Sequence, residues 1–418
     1  MTPVPNPTAA VDVHRLSSED SAVRDRLAGE AFGMPTTPPT PPPAAGGADA
    51  PPPEPERPRP GRRDWGAFVD GRLAGIATDR AYDVWFGGRL VPTSGIAGVA
   101  IGAEDRGRGL LRPLLGTLLA DARVRGAVLS TLHPSATRIY RGLGYEVVGE
   151  FRVARVPAWA VGQVRPDPEV SVRRATAEDV PAIREQYDRW ARGYSGPLSR
   201  RGESYDPTVE SDPGSVLADT TAVSVAVDAD GRVCGYTNWD RGGGDQGALA
   251  VVDLIAERPE AYRSLLASVG SFSSVVSHVS FETSGLDPLR ALLPTSHWEV
   301  VRNDPHMLRI LDVVGAVQAR GYLAGLRTEI AFAVAGDALG VLDGGYRVTV
   351  ADGEAHAEAV PVTDGLPVFA PRGLSLAYAG TQPASQLRSL GLLTGPDDTD
   401  ALIDATFAGP PFHIKDFF

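Results

Sequence analysis

Three landmarks recur along this chain in the same order, and that repetition limits its architecture more than any other feature. Val11-x-Val13-x-Arg15 followed by Ser17-x-x-Asp20 returns as Val170-x-Val172-x-Arg174 followed by Thr176-x-x-Asp179, every matched position 159 residues on. Asp70-Gly71-Arg72-Leu73-Ala74-Gly75 returns as Asp230-Gly231-Arg232-Val233-Cys234-Gly235 after 160 residues, and Tyr145-Glu146-Val147-Val148 as Trp298-Glu299-Val300-Val301 after 153. Each copy therefore opens with a strand and a helix. Ser17 and Thr176 stand three residues before an acid, as a capping box requires. Each copy turns on an Asp-Gly hairpin and closes on an aromatic and valine strand. Strands and helices mixed in this way predict an α+β fold with mixed sheets, built from two related domains.

The copies differ at one stretch. Gly98-Val99-Ala100-Ile101 reads as an apolar strand that breaks into Arg106-Gly107-Arg108-Gly109 and restarts as a leucine-rich helix. Leu110, Leu111, Leu114, Leu115, Leu118, Leu119 and Ala122 recur at helical spacing, which predicts a helix from about Gly109 to Arg125 with one stripe on a sheet. Gly107 and Gly109 lack a Cβ, so backbone N–H groups can approach an anion, and the helix start adds unpaired donors. Arg106 and Arg108 add charge. A short Gly-x-Gly alone marks any turn; strand, loop and buried helix in this order point to phosphate. The nucleoside triphosphate loop and the dinucleotide fingerprint are both excluded by spacing. In the second copy, Leu249 to Leu254 runs into Ala256-Glu257-Arg258-Pro259-Glu260 with no such loop.

Arg106-Gly107-Arg108-Gly109 after a Val-x-Ile strand resembles the acetyl-coenzyme A pyrophosphate loop of the GNAT superfamily of N-acetyltransferases. That family usually has Gly or Ala where this chain has Leu111. The variant running from Arg108 to Arg112 resembles the enhanced-intracellular-survival (Eis) branch of aminoglycoside acetyltransferases. The resemblance implies two tandem GNAT folds, a catalytic one over residues 1–158 and a degenerate one over 168–305 that walls the acceptor site. It also implies a sterol-carrier-like α+β domain over 306–418 and a homohexamer. In that last part the residues themselves suggest an amphipathic helix from Met307 to Val317. Strands are expected at Ile330–Val334, Tyr346–Val350, Ala357–Val362 and Leu374–Tyr378, then a helix at Ala384–Leu392.

Composition narrows the function. The formal net charge of -12 argues against nucleic acid or an anionic membrane as partner and favours small cations. No apolar run approaches the ~20 residues needed to span a bilayer, and the N-terminus lacks signal-peptide features, so a cytoplasmic location is expected. The single cysteine, Cys234, excludes an internal disulfide and a cysteine-rich zinc site, and no metal is expected. Twelve of the 36 prolines lie between Pro35 and Pro60, a composition that cannot fill a core and that marks an exposed insertion in the first copy.

Acetyl transfer from a thioester to an amine needs a held donor, a neutral amine and a proton for the departing thiolate. By the resemblance, acetyl-coenzyme A lies along Val99, Ala100 and Ile101 and against Arg106, Gly107, Arg108, Gly109 and Leu110, with Ser135 nearby. Ile139-Tyr140-x-x-x-Gly144-Tyr145 resembles the helix that carries the family's tyrosine acid. Tyr140 is therefore the expected general acid, and Tyr145 a core residue. Eis-type enzymes use a terminal carboxylate as base, which here falls on Phe418; His133 and Asp416 are the reserves. The expected function is acetylation of a primary amine on an aminoglycoside-like polycation. The alternatives are a biosynthetic amine, a protein lysine, or a non-catalytic acyl-coenzyme A-binding scaffold.

Overall fold

The computed structural model describes residues 11–33, 61–205, 222–241, 247–284 and 288–418; the proline-rich insertion lies outside them. The duplication is visible in one continuous sheet of twelve strands. The first copy supplies β1 (Val11–Arg15), β2 (Arg62–Val69), β3 (Arg72–Phe86), β4 (Arg89–Ile101), β5 (Leu129–Leu132) and β6 (Glu146–Pro157). The second supplies β7 (Ser171–Arg174), β8 (Ala222–Val227), β9 (Val233–Asp240), β10 (Ala248–Ala256), β11 (His278–Thr283) and β12 (Glu299–Ile310). Their order is β1-β2-β3-β4-β5-β12-β6-β11-β10-β9-β8-β7. Each strand of one copy has its counterpart at the mirrored place in the other. The closing strands have changed sides, so β12 lies between β5 and β6, antiparallel to both.

Helices cover the first copy on both faces. The helix α1 (Ser21–Phe32) follows a 3-10 turn whose capping box, Ser17 with Asp20, is made as expected, and it buries Leu27 against Ile76 and Ala100. On the other face α2 (Leu111–Val124) buries Leu114, Leu115, Leu118, Leu119 and Ala122 against Ala77 and Ile96. Each of the four leucines contributes about 1.5–3 kcal/mol by burial. That packing holds the start of α2 fixed at the end of the loop.

Two expectations for the last third are corrected. Residues 307–310 are strand, not helix: Met307 and Leu308 pair with both β5 and β6, and the helix begins only at Val313 and ends at Ala319. A boundary at 306 therefore falls inside β12. Leu374–Tyr378 is the end of a helix, Pro371–Tyr378, with Pro in its first turn, rather than a strand. The remaining strands, β13 (Thr328–Val334), β14 (Gly344–Ala351), β15 (Glu354–Val360), β16 (Val368–Phe369) and β17 (Leu393–Thr394), form a second sheet in the order β15-β14-β13-β16-β17. This part is locked to the large sheet by a fully buried ion pair, Arg309 on β12 with Asp337 at 2.7 Å.

After the helix Asp400–Phe407 the chain returns to the large sheet. Its last residues run between the two copies, where His413 N–H donates to Ser195 O at 2.7 Å.

Candidate active site

β4 and β5 run parallel for four residue pairs, the last being Ile96 with Leu132, and then part. β4 continues to Ile101 with β3 on one side and, among the described residues, no strand on the other. The register slips where Gly98 and Val99 together face Ala77, and Gly98 takes φ +57°, a bulge that a Cβ would strain. The result is a wedge-shaped opening. Its β4 wall is the edge of Val99, Ala100 and Ile101 that faces away from β3.

The loop beyond is braced rather than loose. Asp105 is 1% exposed and accepts from Arg72 at 2.9 Å and from Arg108 at 2.7 Å. Arg106 Nε donates to Ile101 O at 3.4 Å. Arg106 and Arg108 thus hold the loop's shape in addition to the charge they carry. Gly107 and Gly109 have φ +78° and +77° and open space around them, so conformation, not crowding, demands glycine. Leu110 is buried with Val69 and Ala74, leaving only its backbone for a ligand. No side chain caps α2, so its first-turn N–H groups face the loop, a ready seat for an anion.

On the β5 side stands α3 (Thr137–Arg141), preceded by an exposed Ser135. It carries Tyr140, buried among Ile96, Leu132 and Tyr145. The two tyrosines meet edge to face at 6.1 Å but are wired differently. Tyr145 bonds Ser130 Oγ at 2.7 Å, and Ser130 in turn donates to Ser94 O. Among the described residues the Tyr140 hydroxyl has no partner. Burial pushes it up to about 12, so it carries its proton throughout the physiological range.

The chain's last residues reach the same place. The Phe418 ring lies edge-on to Tyr82 of β3 at 5.1 Å and rests on Gly95 of β4, where a Cβ would stand 3.0 Å from Phe418 Cε2. Phe417 packs 4.5 Å from the His133 ring, and Asp416 O lies 3.2 Å from His133 Nε2. His306, missed in the sequence, sits 3.2 Å from the same nitrogen; it comes from β12, the strand of the second copy. Burial holds both imidazoles below their ordinary value, His306 the further. Phe418 thus meets His133, ring to ring at 5.5 Å, and β4 at Gly95, next to Ile96, with which Tyr140 is buried. Asp416 points instead to Arg200 at 2.8 Å.

In the second copy β10 leads almost directly into the helix Pro259–Gly270, with no glycine loop, as expected. Cys234 is buried there. No helix of the described residues is long and apolar enough to cross a membrane.

Residues 13–148 match the family model of an acetyltransferase (GNAT) domain, residues 196–310 that of a second acetyltransferase (GNAT) domain, and residues 313–414 that of a sterol carrier protein domain. Over 337 residues the chain is 27% identical to N-acetyltransferase Eis of Mycobacterium tuberculosis, spanning 76% of this chain and 79% of that protein. Over 307 residues it is 28% identical to an uncharacterized N-acetyltransferase of Streptomyces avermitilis, covering 70% and 73% of the two. The crystal structure of a GCN5-related N-acetyltransferase from Kribbella flavida superposes with a TM-score of 0.81 at 27% identity, over 98% of this chain and 99% of that one.

Proposed function

The chain belongs to the GNAT N-acetyltransferases, in the Eis-like arrangement of two acetyltransferase domains and a sterol carrier protein domain, and we propose that its first cleft transfers an acetyl group from acetyl-coenzyme A to a primary amine of an aminoglycoside-like polycation. The donor's pyrophosphate sits on the Arg106–Gly109 loop and the start of α2, and its pantetheine extends along Val99–Ile101. The amine nitrogen attacks the thioester carbonyl, the C–S bond breaks, and Tyr140 gives its proton to the departing sulfur. The proton lost by the amine goes to the carboxylate of Phe418 where the chain terminates there.

The observation that carries this reading is the parting of β4 and β5 at Ile96 and Leu132, with the uncommitted Tyr140 hydroxyl on the helix that follows β5. The net charge of -12 favours a cationic acceptor. The test is amine-dependent release of the coenzyme thiol across a panel of aminoglycosides, polyamines and basic peptides, repeated on a chain extended past Phe418. Turnover on aminoglycosides that is lost on extension supports both substrate and base. Donor binding with no turnover on any amine points to the scaffold alternative.

One observation favours a second acceptor class. Arg80 lies opposite Gly95, donates to the Tyr82 hydroxyl at 3.2 Å, and leaves its buried Nε without a partner. Among the described residues it pairs with no acid. A biosynthetic amine that also carries a carboxylate would find its counter-charge there, and Arg80→Gln would raise KM for such an acceptor while sparing polyamines, which carry no carboxylate.

A further inference from the structure

The second copy repeats the architecture of the donor cleft, and the cleft's counterpart is filled from within the chain. β10 and β11 pair for four residues, ending at Val251 with Phe281, and β10 then bulges at Val252 before Asp253 resumes pairing with β9. Into this second parting the tail inserts Lys415. Its Nζ donates to Glu282 O on β11 at 2.8 Å and to Val252 O on β10 at 3.4 Å. Lys415 is the one lysine in a chain with 39 arginines, and it is 4% exposed. A compact ammonium can converge on two carbonyls in such a gap, whereas a planar guanidinium splays its donors.

The next tail residue is held as firmly. Arg200, 9% exposed and with φ +51° in the region unfavourable to side chains, grips two carboxylates. Its Nη1 meets Asp253 at 2.5 Å and its Nε meets Asp416 at 2.8 Å. Its guanidinium lies 4.1 Å over the Tyr187 ring, and Tyr236 donates to Asp253 at 3.1 Å. Opening either ion pair leaves a buried charge uncompensated.

We propose that the parted strands of the second copy are the seat of the C-terminal segment, and that Arg200 is a positioning residue which, by holding Asp416, sets Phe418 in the first copy's cleft. The role rests on the acetyl-transfer reading of that cleft. In this arrangement the degenerate domain contributes to catalysis without binding donor: its own cleft is occupied by Lys415, and what it delivers is Phe418.

The lone lysine makes the seat directly readable. In the full-length chain, labelling of Lys415 by an amine-reactive acetylating reagent is followed by peptide mass, with kcat and KM for acetyl-coenzyme A measured alongside. Arg200→Met, and separately Asp416→Asn, which leaves the second domain's interior intact, are expected to speed labelling of Lys415 at least tenfold and to lower kcat at least tenfold, with KM for acetyl-coenzyme A within twofold. Arg200→Lys restores part of both. Unchanged labelling in both variants overturns the seat. Faster labelling with undiminished kcat overturns the positioning role of Arg200 and the base assigned to Phe418. Because labelling is read without turnover, failure of the acetyl-transfer reading itself, seen as no turnover by the unaltered chain, is distinguished from failure of the seat.

Discussion

Tyr145 and Ser130 share a hydrogen bond of 2.7 Å inside the first domain, and Ser130 passes the connection on to the Ser94 carbonyl of β4. That chain engages the hydroxyl of one tyrosine and not that of Tyr140, its neighbour at 6.1 Å, to which we assign the proton transfer. Tyr145→Phe is expected to lower stability by about 1 kcal/mol, the usual value of a buried hydrogen bond whose partner stays satisfied. Urea unfolding reads that loss, and kcat stays within twofold.

Asp105 organises the Arg106–Gly109 loop through Arg72 and Arg108, both partly exposed. Asp105→Ala frees both guanidinium groups and lets the loop sample other shapes. KM for acetyl-coenzyme A should rise roughly tenfold, equivalent to about 1.4 kcal/mol, with kcat little changed. Initial rates at saturating acceptor check this.

The seat of the tail carries a pH signature. Burial raises the Glu282 carboxyl to about 7, against which the nearby Lys415 charge acts only in part. The folded form thus binds this proton more tightly than the unfolded chain. The resulting stabilisation is present below the ordinary carboxyl value near 4.5 and is lost as pH rises through 7. Relative to the unaltered chain, Glu282→Gln should therefore gain stability on going from pH 5 to pH 8, by on the order of 3 kcal/mol. Thermal melts over that range give the difference.

His306 carries the opposite sign. Its burial depresses the imidazole, so the unfolded chain binds the proton more tightly, and stability is lost as pH falls below 6.5. His306→Phe should gain relative to the unaltered chain as pH drops from 7.5 to 5.5. Paired unfolding curves at the two pH values show the crossover or its absence.

Much of this site was legible in order along the chain. The loop, Tyr140 and the closing aromatic strand lie within one stretch of sequence, where spacing and helical period carry the geometry. The exchange of β6 and β12 was not, because pairing across 150 residues leaves no local trace. Met307 to Ile310 reads as part of a helical stripe, since a strand buried on both faces shows a continuous apolar run instead of alternation. Leu374-Ser375-Leu376-Ala377-Tyr378 alternates as a half-buried strand does, but its leucines and alanine favour helix, and Pro371 starts it. The Arg200, Asp253 and Asp416 cluster joins three distant segments. Its one signal was Lys415, a lysine where every other cation is arginine.

The acetyl-transfer account is tested most directly by steady-state kinetics of the Tyr140→Phe chain. Phenylalanine keeps the ring packing against Tyr145 and removes only the hydroxyl, the proposed proton donor. kcat is predicted to fall by about 10²–10⁴, the range for loss of a general acid, with the KM for acetyl-coenzyme A within twofold and the fold intact by circular dichroism. An undiminished kcat in Tyr140→Phe would contradict the account.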